Sequence, residues 1–190
     1  MTVPTRLAGW GLATGAQVTW TVAEGRKGRR WREVVLRDGA FVHALLLETD
    51  PERRFSHLEL ARADGLWTFH PESAGTLHGN HVRAGRADAV RHVVGWAFGP
   101  EDVLIVDGSP LSLAAIAWRL AANGVPEGTP RDLAGVVIAS DPGELEPRSR
   151  IRVERLSATR WQVGEWPPFD IDDAGIPALD GDVREQLELG

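Results

Sequence analysis

Cysteine is absent from this 190-residue chain, which excludes disulfides, thiolate nucleophiles and sulfur-ligated metals. Tyrosine is also absent, and a single lysine, Lys27, stands against 20 arginines. No apolar run approaches the roughly 20 residues of a spanning helix; the longest lies near Leu111–Leu120. Thr2-Val3-Pro4-Thr5-Arg6 leads into no apolar leader segment, so the expectation is a soluble, cytoplasmic protein. A formal charge of −6 argues against a nucleic-acid binder, which would carry a basic face. The sequence has no Gly-x-Ser-x-Gly elbow and no His-Glu-x-x-His run, so neither a hydrolase nucleophile nor a zincin site is signalled. Gly9, Gly11 and Gly15 have neither dinucleotide nor P-loop spacing, and no cofactor is expected from them.

Histidine is missing from most of the chain but not all of it. All six (His43, His57, His70, His78, His81 and His92) fall between residues 43 and 92. Imidazole titrates near neutrality and ligates metals, so this stretch is where chemistry is sought. Eight Trp and five Phe supply large apolar area, suited to a wide core or a ligand-lined cavity.

The first two thirds read as strands. Gln17–Val22 alternates with β-favouring residues, Trp31–Arg37 and Phe41–Glu48 flank an Asp38-Gly39 hairpin signal, and Asp50-Pro51 breaks the run. Arg53–Arg62, Leu66–His70, Gly75–Val82, Val90–Phe98 and Val103–Val106 follow at about ten-residue spacing, which reads as an antiparallel meander. One helix is signalled over Pro110–Ala122, with Ser109 as N-cap, Pro110 at the first helical position and Asn123-Gly124 beyond the end. Its polar side chains are Ser112 and Arg119, seven apart, so it is expected to be buried on most sides. Loops are expected at 123–132 and 140–150, a hairpin from Ile151–Ser157 and Arg160–Trp166, then Phe169–Asp172, and a short helix or frayed end from Asp180. No linker divides the chain, so a single β-rich domain over 1–190 is expected.

Strand parity assigns faces to the histidines. Phe41, His43, Leu45 and Leu47 share one face, Phe55, His57 and Glu59 another, and Val90, His92, Val94, Trp96 and Phe98 a third. Three imidazoles therefore lie beside apolar or aromatic neighbours, as a pocket wall would require. His78-x-x-His81 sits in a Gly- and Asn-containing turn region rather than on a helix, which is poor ligand spacing. A three-histidine metal site drawn from separate strands stays open, but no metal ligand is assigned. Ser109 is explained as a helix cap, and no catalytic residue is assigned.

Ala63-Asp64-Gly65-Leu66-Trp67 with Leu77-His78-Gly79, then Ser109-Pro110-Leu111-Ser112 through Arg119-Leu120, then Arg152–Trp161 with Phe169-Asp170-Ile171-Asp172-Asp173-Ala174-Gly175-Ile176 resemble segments of a bacterial family named for glycolipid binding. The similarity spans about residues 30–180 of this chain. Leu113 replaces that family's Asn, Trp118 replaces the first of its Arg pair, and about 20 residues including His92–Phe98 are inserted. The resemblance implies a long antiparallel sheet curved into an open or half barrel, with a helical segment on its concave side.

These readings combine into an α+β domain, mainly antiparallel, forming a curved open or half barrel with one buried apolar helix. The leading expectation is that it binds an amphipathic, lipid- or glycolipid-like small molecule. Trp67, Trp96, Phe98 and Trp118 would meet its apolar part, with His43, His57, His92 and Arg119 at its head group. Two other classes stand beside it. One is an enzyme using His43, His57 or His92 for acid–base or metal chemistry; the other is an interaction protein with exposed tryptophans and no small ligand.

Overall fold

The structure, a computed structural model, describes residues 5–73, 75–85, 90–139 and 145–186, without the side chains of 93, 94, 145–149 and 186. The fold is α+β and mostly antiparallel, with one helix among the described residues. The chain divides into two compact units, 1–100 with 179–190, and 101–178.

The first unit is built on one nine-stranded antiparallel sheet. Its strands are β1 (Thr5–Ala13), β2 (Ala16–Gly25), β3 (Gly28–Arg37), β4 (Ala40–Thr49), β5 (Phe55–Arg62), β6 (Gly65–Glu72), β7 (Thr76–Arg83), β8 (Val90–Ala97) and β14 (Asp180–Gln186). They run in the order β14-β1-β2-β3-β4-β5-β6-β7-β8, a meander closed on one side by the returning C-terminal strand. Burial alternates along β2, β3 and β4 with period two, the signature of a sheet with one face in a core. The buried face carries Val18, Trp20, Val22, Trp31, Val35, Leu45, Leu47, Leu58, Leu60, Trp67 and Phe69, none more than 3% exposed. Five of the eight tryptophans in the chain are buried, whereas Trp10 is 46% exposed. The tryptophan excess therefore builds cores more than it decorates a surface.

Strand β1 was not legible as a strand because Gly9 and Gly11 interrupt its pattern. Both are small for packing reasons. A Cβ on Gly9 would lie 2.5 Å from Cζ2 of Trp20, and one on Gly11 2.5 Å from Cβ of Leu179. The segment from Asp180, expected to be helical or frayed, is instead strand β14, paired with β1 through Leu7↔Gln186 to Leu12↔Asp180.

The second unit holds β9 (Val103–Val106), α1 (Pro110–Ala122), β10 (Arg131–Ile138), β11 (Leu145–Arg155), β12 (Arg160–Val163) and β13 (Phe169–Asp170). Its sheet has the order β13-β12-β11-β10-β9 and curls into a half barrel. Helix α1 forms over the expected residues. The Ser109 hydroxyl accepts from Ser112 N–H at 3.0 Å, and nine of its thirteen residues are buried, so it is a core helix. Ser112 Oγ in turn donates to the Val106 carbonyl, satisfying a hydroxyl that is fully buried. The helix is the crossover between β9 and β10, which pair in parallel from Gly135↔Val103 to Ile138↔Val106. Parallel neighbours need such a connection. Residues 145–150, expected in a loop, belong to β11; residues 140–144 lie outside the described set.

Candidate functional site

The β2–β3 hairpin carries the densest cationic run of the chain, Arg26-Lys27-Gly28-Arg29-Arg30. Gly28 has φ +113, and a Cβ there would stand 1.9 Å from the Thr49 carbonyl oxygen. Glycine alone lets β3 start this close to the end of β4. The closeness brings the hairpin cations over Thr49, beside a cavity of about 420 Å³. Arg26, Lys27, Arg29 and Arg30 line it, against the carboxylates of Glu24 and Glu48.

Arg29 and Arg30 are held differently. The Arg29 side chain is 3% exposed, with Nη1 3.4 Å from Glu24 Oε2 and Cζ 4.9 Å from the Trp31 ring centre. Ion pair and ring face together offset the burial of its charge. Arg30 pairs with Glu48 across the β3–β4 register and is half exposed. Thr49 is 6% exposed, and its hydroxyl has no hydrogen-bond partner among the described residues. A buried hydroxyl left without a partner costs about 1–3 kcal/mol. Four cations facing two carboxylates leave an excess of positive charge in a protein that is −6 overall. Such an excess draws anions electrostatically.

None of the eight residues singled out from the sequence lines this cavity. His43 is 1% exposed within the core, its Nε2 2.9 Å from Oε1 of the equally buried Glu33. His57 lies on the opposite, open face beside Glu59 at 3.2 Å. Trp67 is buried under a parallel stack with His81, their ring centres 3.8 Å apart. His92 is exposed, Trp96 half-buried, and Phe98 buried edge-on to Phe55 at 5.6 Å. Trp118 and Arg119 belong to the second unit, where Arg119 Nη2 donates to the Glu101 carbonyl at 2.8 Å.

His43 keeps its face with Leu45 and Leu47, and His57 with Glu59, but the rest of the expected face-sharing fails in these three strands, each time through a β-bulge. Register slips between Val35↔His43 and Leu36↔Phe41, so Phe41 turns outward at 47% exposure while His43 stays in the core. Another slip, between Glu48↔His57 and Thr49↔Phe55, puts Phe55 and His57 on opposite faces. A third separates Asn80↔His92 and Gly79↔Val93 from Leu77↔Trp96, around Gly95 at φ +59. His92 and Trp96 are therefore on opposite faces, and Phe98 lies beyond the end of β8; the side chain of Val94 is outside the described set. One extra residue inverts every later side chain in a strand.

His81 has a displaced titration. Burial pushes it below its ordinary 6.5, while Asp64, with Oδ2 3.5 Å from Nε2, pulls in the opposite direction. Among the described residues no group of three His, Asp or Glu side chains is placed to hold a metal ion. No helix there is long and apolar enough to cross a membrane.

No family model matches the chain, and no curated protein matches it. Among solved structures it is similar to a DUF1089 family protein from Pseudomonas aeruginosa, with 12% identity over 93% of this chain and 88% of that one and a TM-score of 0.49.

Proposed function

We propose that this protein binds a small amphipathic molecule, lipid- or glycolipid-like, whose anionic group enters the cavity between the β2–β3 hairpin and the end of β4. The observation that carries the reading is the buried Arg29 guanidinium beside the unpartnered, buried Thr49 hydroxyl in a cavity of about 420 Å³. That volume falls within the roughly 300–1,000 Å³ of small-molecule sites. The resemblance of residues 30–180 to the glycolipid-binding family points the same way. No histidine lines the cavity, so the reading is recognition by charge rather than proton transfer.

Titration calorimetry with dodecyl phosphate, dodecanoate and uncharged dodecanol tests it. The anionic probes are expected to bind with one equivalent and dodecanol more weakly. Arg29→Gln should weaken dodecyl phosphate about 10- to 100-fold, the value of a charge-assisted hydrogen bond. Thr49→Val, nearly isosteric, should weaken it several-fold while making the ligand-free protein more stable, since it removes a buried hydroxyl without a partner. Equal binding of dodecanol and dodecyl phosphate, or unchanged binding in both variants, would overturn the proposal.

A further inference from the structure

Four of the six histidines lie together on the open face of the nine-stranded sheet, away from the core that holds His43 and His81. His70 and His78 are direct cross-strand partners on β6 and β7, with ring centres 5.0 Å apart and planes tilted by 40°. His92, on the neighbouring strand β8, has its ring centre 6.2 Å from that of His78. His57 on β5 precedes Leu58, whose partner Phe69 precedes His70, so it reaches the same end of the face.

We propose that the His70–His78 pair is a binding site for a borderline transition-metal ion of the zinc class. With metal–nitrogen bonds of about 2.0–2.1 Å, two imidazoles on one tetrahedral ion stand about 5 Å apart between ring centres. The observed 5.0 Å is that spacing. Rigid backbone sets it, because the two residues sit opposite each other in a hydrogen-bonded ladder.

The surroundings supply what a ligating imidazole needs. Glu72 Oε1 is 3.5 Å from His78 Nδ1, and its other oxygen accepts from the Thr76 hydroxyl at 3.0 Å. A carboxylate held against Nδ1 fixes the ring orientation and leaves Nε2 for the metal. As the side chains lie, no three such groups among the described residues share a point. The site is therefore a two-histidine chelate whose remaining positions face solvent. His92 is exposed and close enough to be drawn in as a third ligand by side-chain rotation.

The test is titration calorimetry of the full chain with zinc chloride near neutral pH, after treatment with a chelator. One equivalent is expected to bind. His70→Ala and His78→Ala should each weaken it at least tenfold, and Glu72→Gln, acting through His78, about 10-fold. His81→Phe, in the core on the other face of the sheet, should leave it within a factor of about two. A second readout uses the unaltered protein: zinc should protect His70 and His78 from diethyl pyrocarbonate. No binding to the wild type, wild-type affinity in both alanine variants, or protection elsewhere without protection of this pair would overturn the assignment.

Discussion

Replacing Glu33 by leucine tests what the buried ion pair contributes to the core. The Glu33 and His43 side chains are 0% and 1% exposed and meet at 2.9 Å. Glu33 stands between its cross-strand neighbours Trp20 and Leu45, and His43 has Val35 as its neighbour on β3. Leucine is close to glutamate in volume, so the cavity left behind is small, and the penalty includes that of stranding His43. A buried neutral polar group without its partner costs about 1–3 kcal/mol, and a buried charge about 3–5 kcal/mol. Glu33→Leu is therefore expected to lower the unfolding free energy by about 2–4 kcal/mol. Leucine at both positions removes the stranded group as well. A buried ion pair replaced by apolar residues of similar size is often neutral or stabilising, so the double variant should recover most of the loss seen in Glu33→Leu. Urea denaturation of the four proteins, followed by tryptophan fluorescence from buried Trp20 and Trp31, yields the coupling energy directly. A loss below about 0.5 kcal/mol in Glu33→Leu, or a double variant that simply adds the two single losses, would refute the reasoning.

Two further outcomes follow from the packing. His81 titrates below its ordinary 6.5 because it is buried. A folded value below the unfolded one means stability present above 6.5 is lost as pH falls through 6.5 and on toward the folded value. The urea midpoint should therefore drop as pH falls below the ordinary 6.5, and His81→Phe, which keeps the stack on Trp67, should flatten part of that drop; an unchanged pH slope would count against it. In the second unit, Gly175 has φ +72, and a Cβ there would lie 2.3 Å from Cδ1 of Trp118. Gly175→Ala should destabilise by about 2–4 kcal/mol, from the left-handed backbone plus overpacking. Gly124→Ala, with φ +68 and open space around it, should lose only the backbone part, about 1–2 kcal/mol. Equal losses at the two glycines would show that Trp118 yields freely.

Several elements were legible because their signals are local. Helix α1 is specified by Ser109, Pro110 and Asn123-Gly124 within a stretch of sixteen residues. The Asp38-Gly39 turn, with both residues at positive φ, marks the β3–β4 hairpin. Elements whose reason lies far along the chain were not. Gly9 in β1 makes sense only beside the Trp20 indole, and β14 only beside β1. The cavity escaped notice although a signal was present. Arg26-Lys27-Gly28-Arg29-Arg30 reads as a solvated charged turn, and only the approach of Gly28 to Thr49 converts it into a site with a buried guanidinium.

The histidines show the same division. Their confinement to residues 43–92 is a property of the sequence, and so is the alternation that makes those strands. Which neighbours share a face with His43, His57 and His92 was decided by three bulges, each an extra residue that inverts the strand beyond it. Composition and periodicity determined a β-rich chain with one buried helix, because those follow from neighbours a few residues apart. Tertiary pairing alone put His43 in the core with Glu33 and set His70 5.0 Å from His78. It also enclosed Arg29, since side chains from separate strands meet only where the ladder register brings them together.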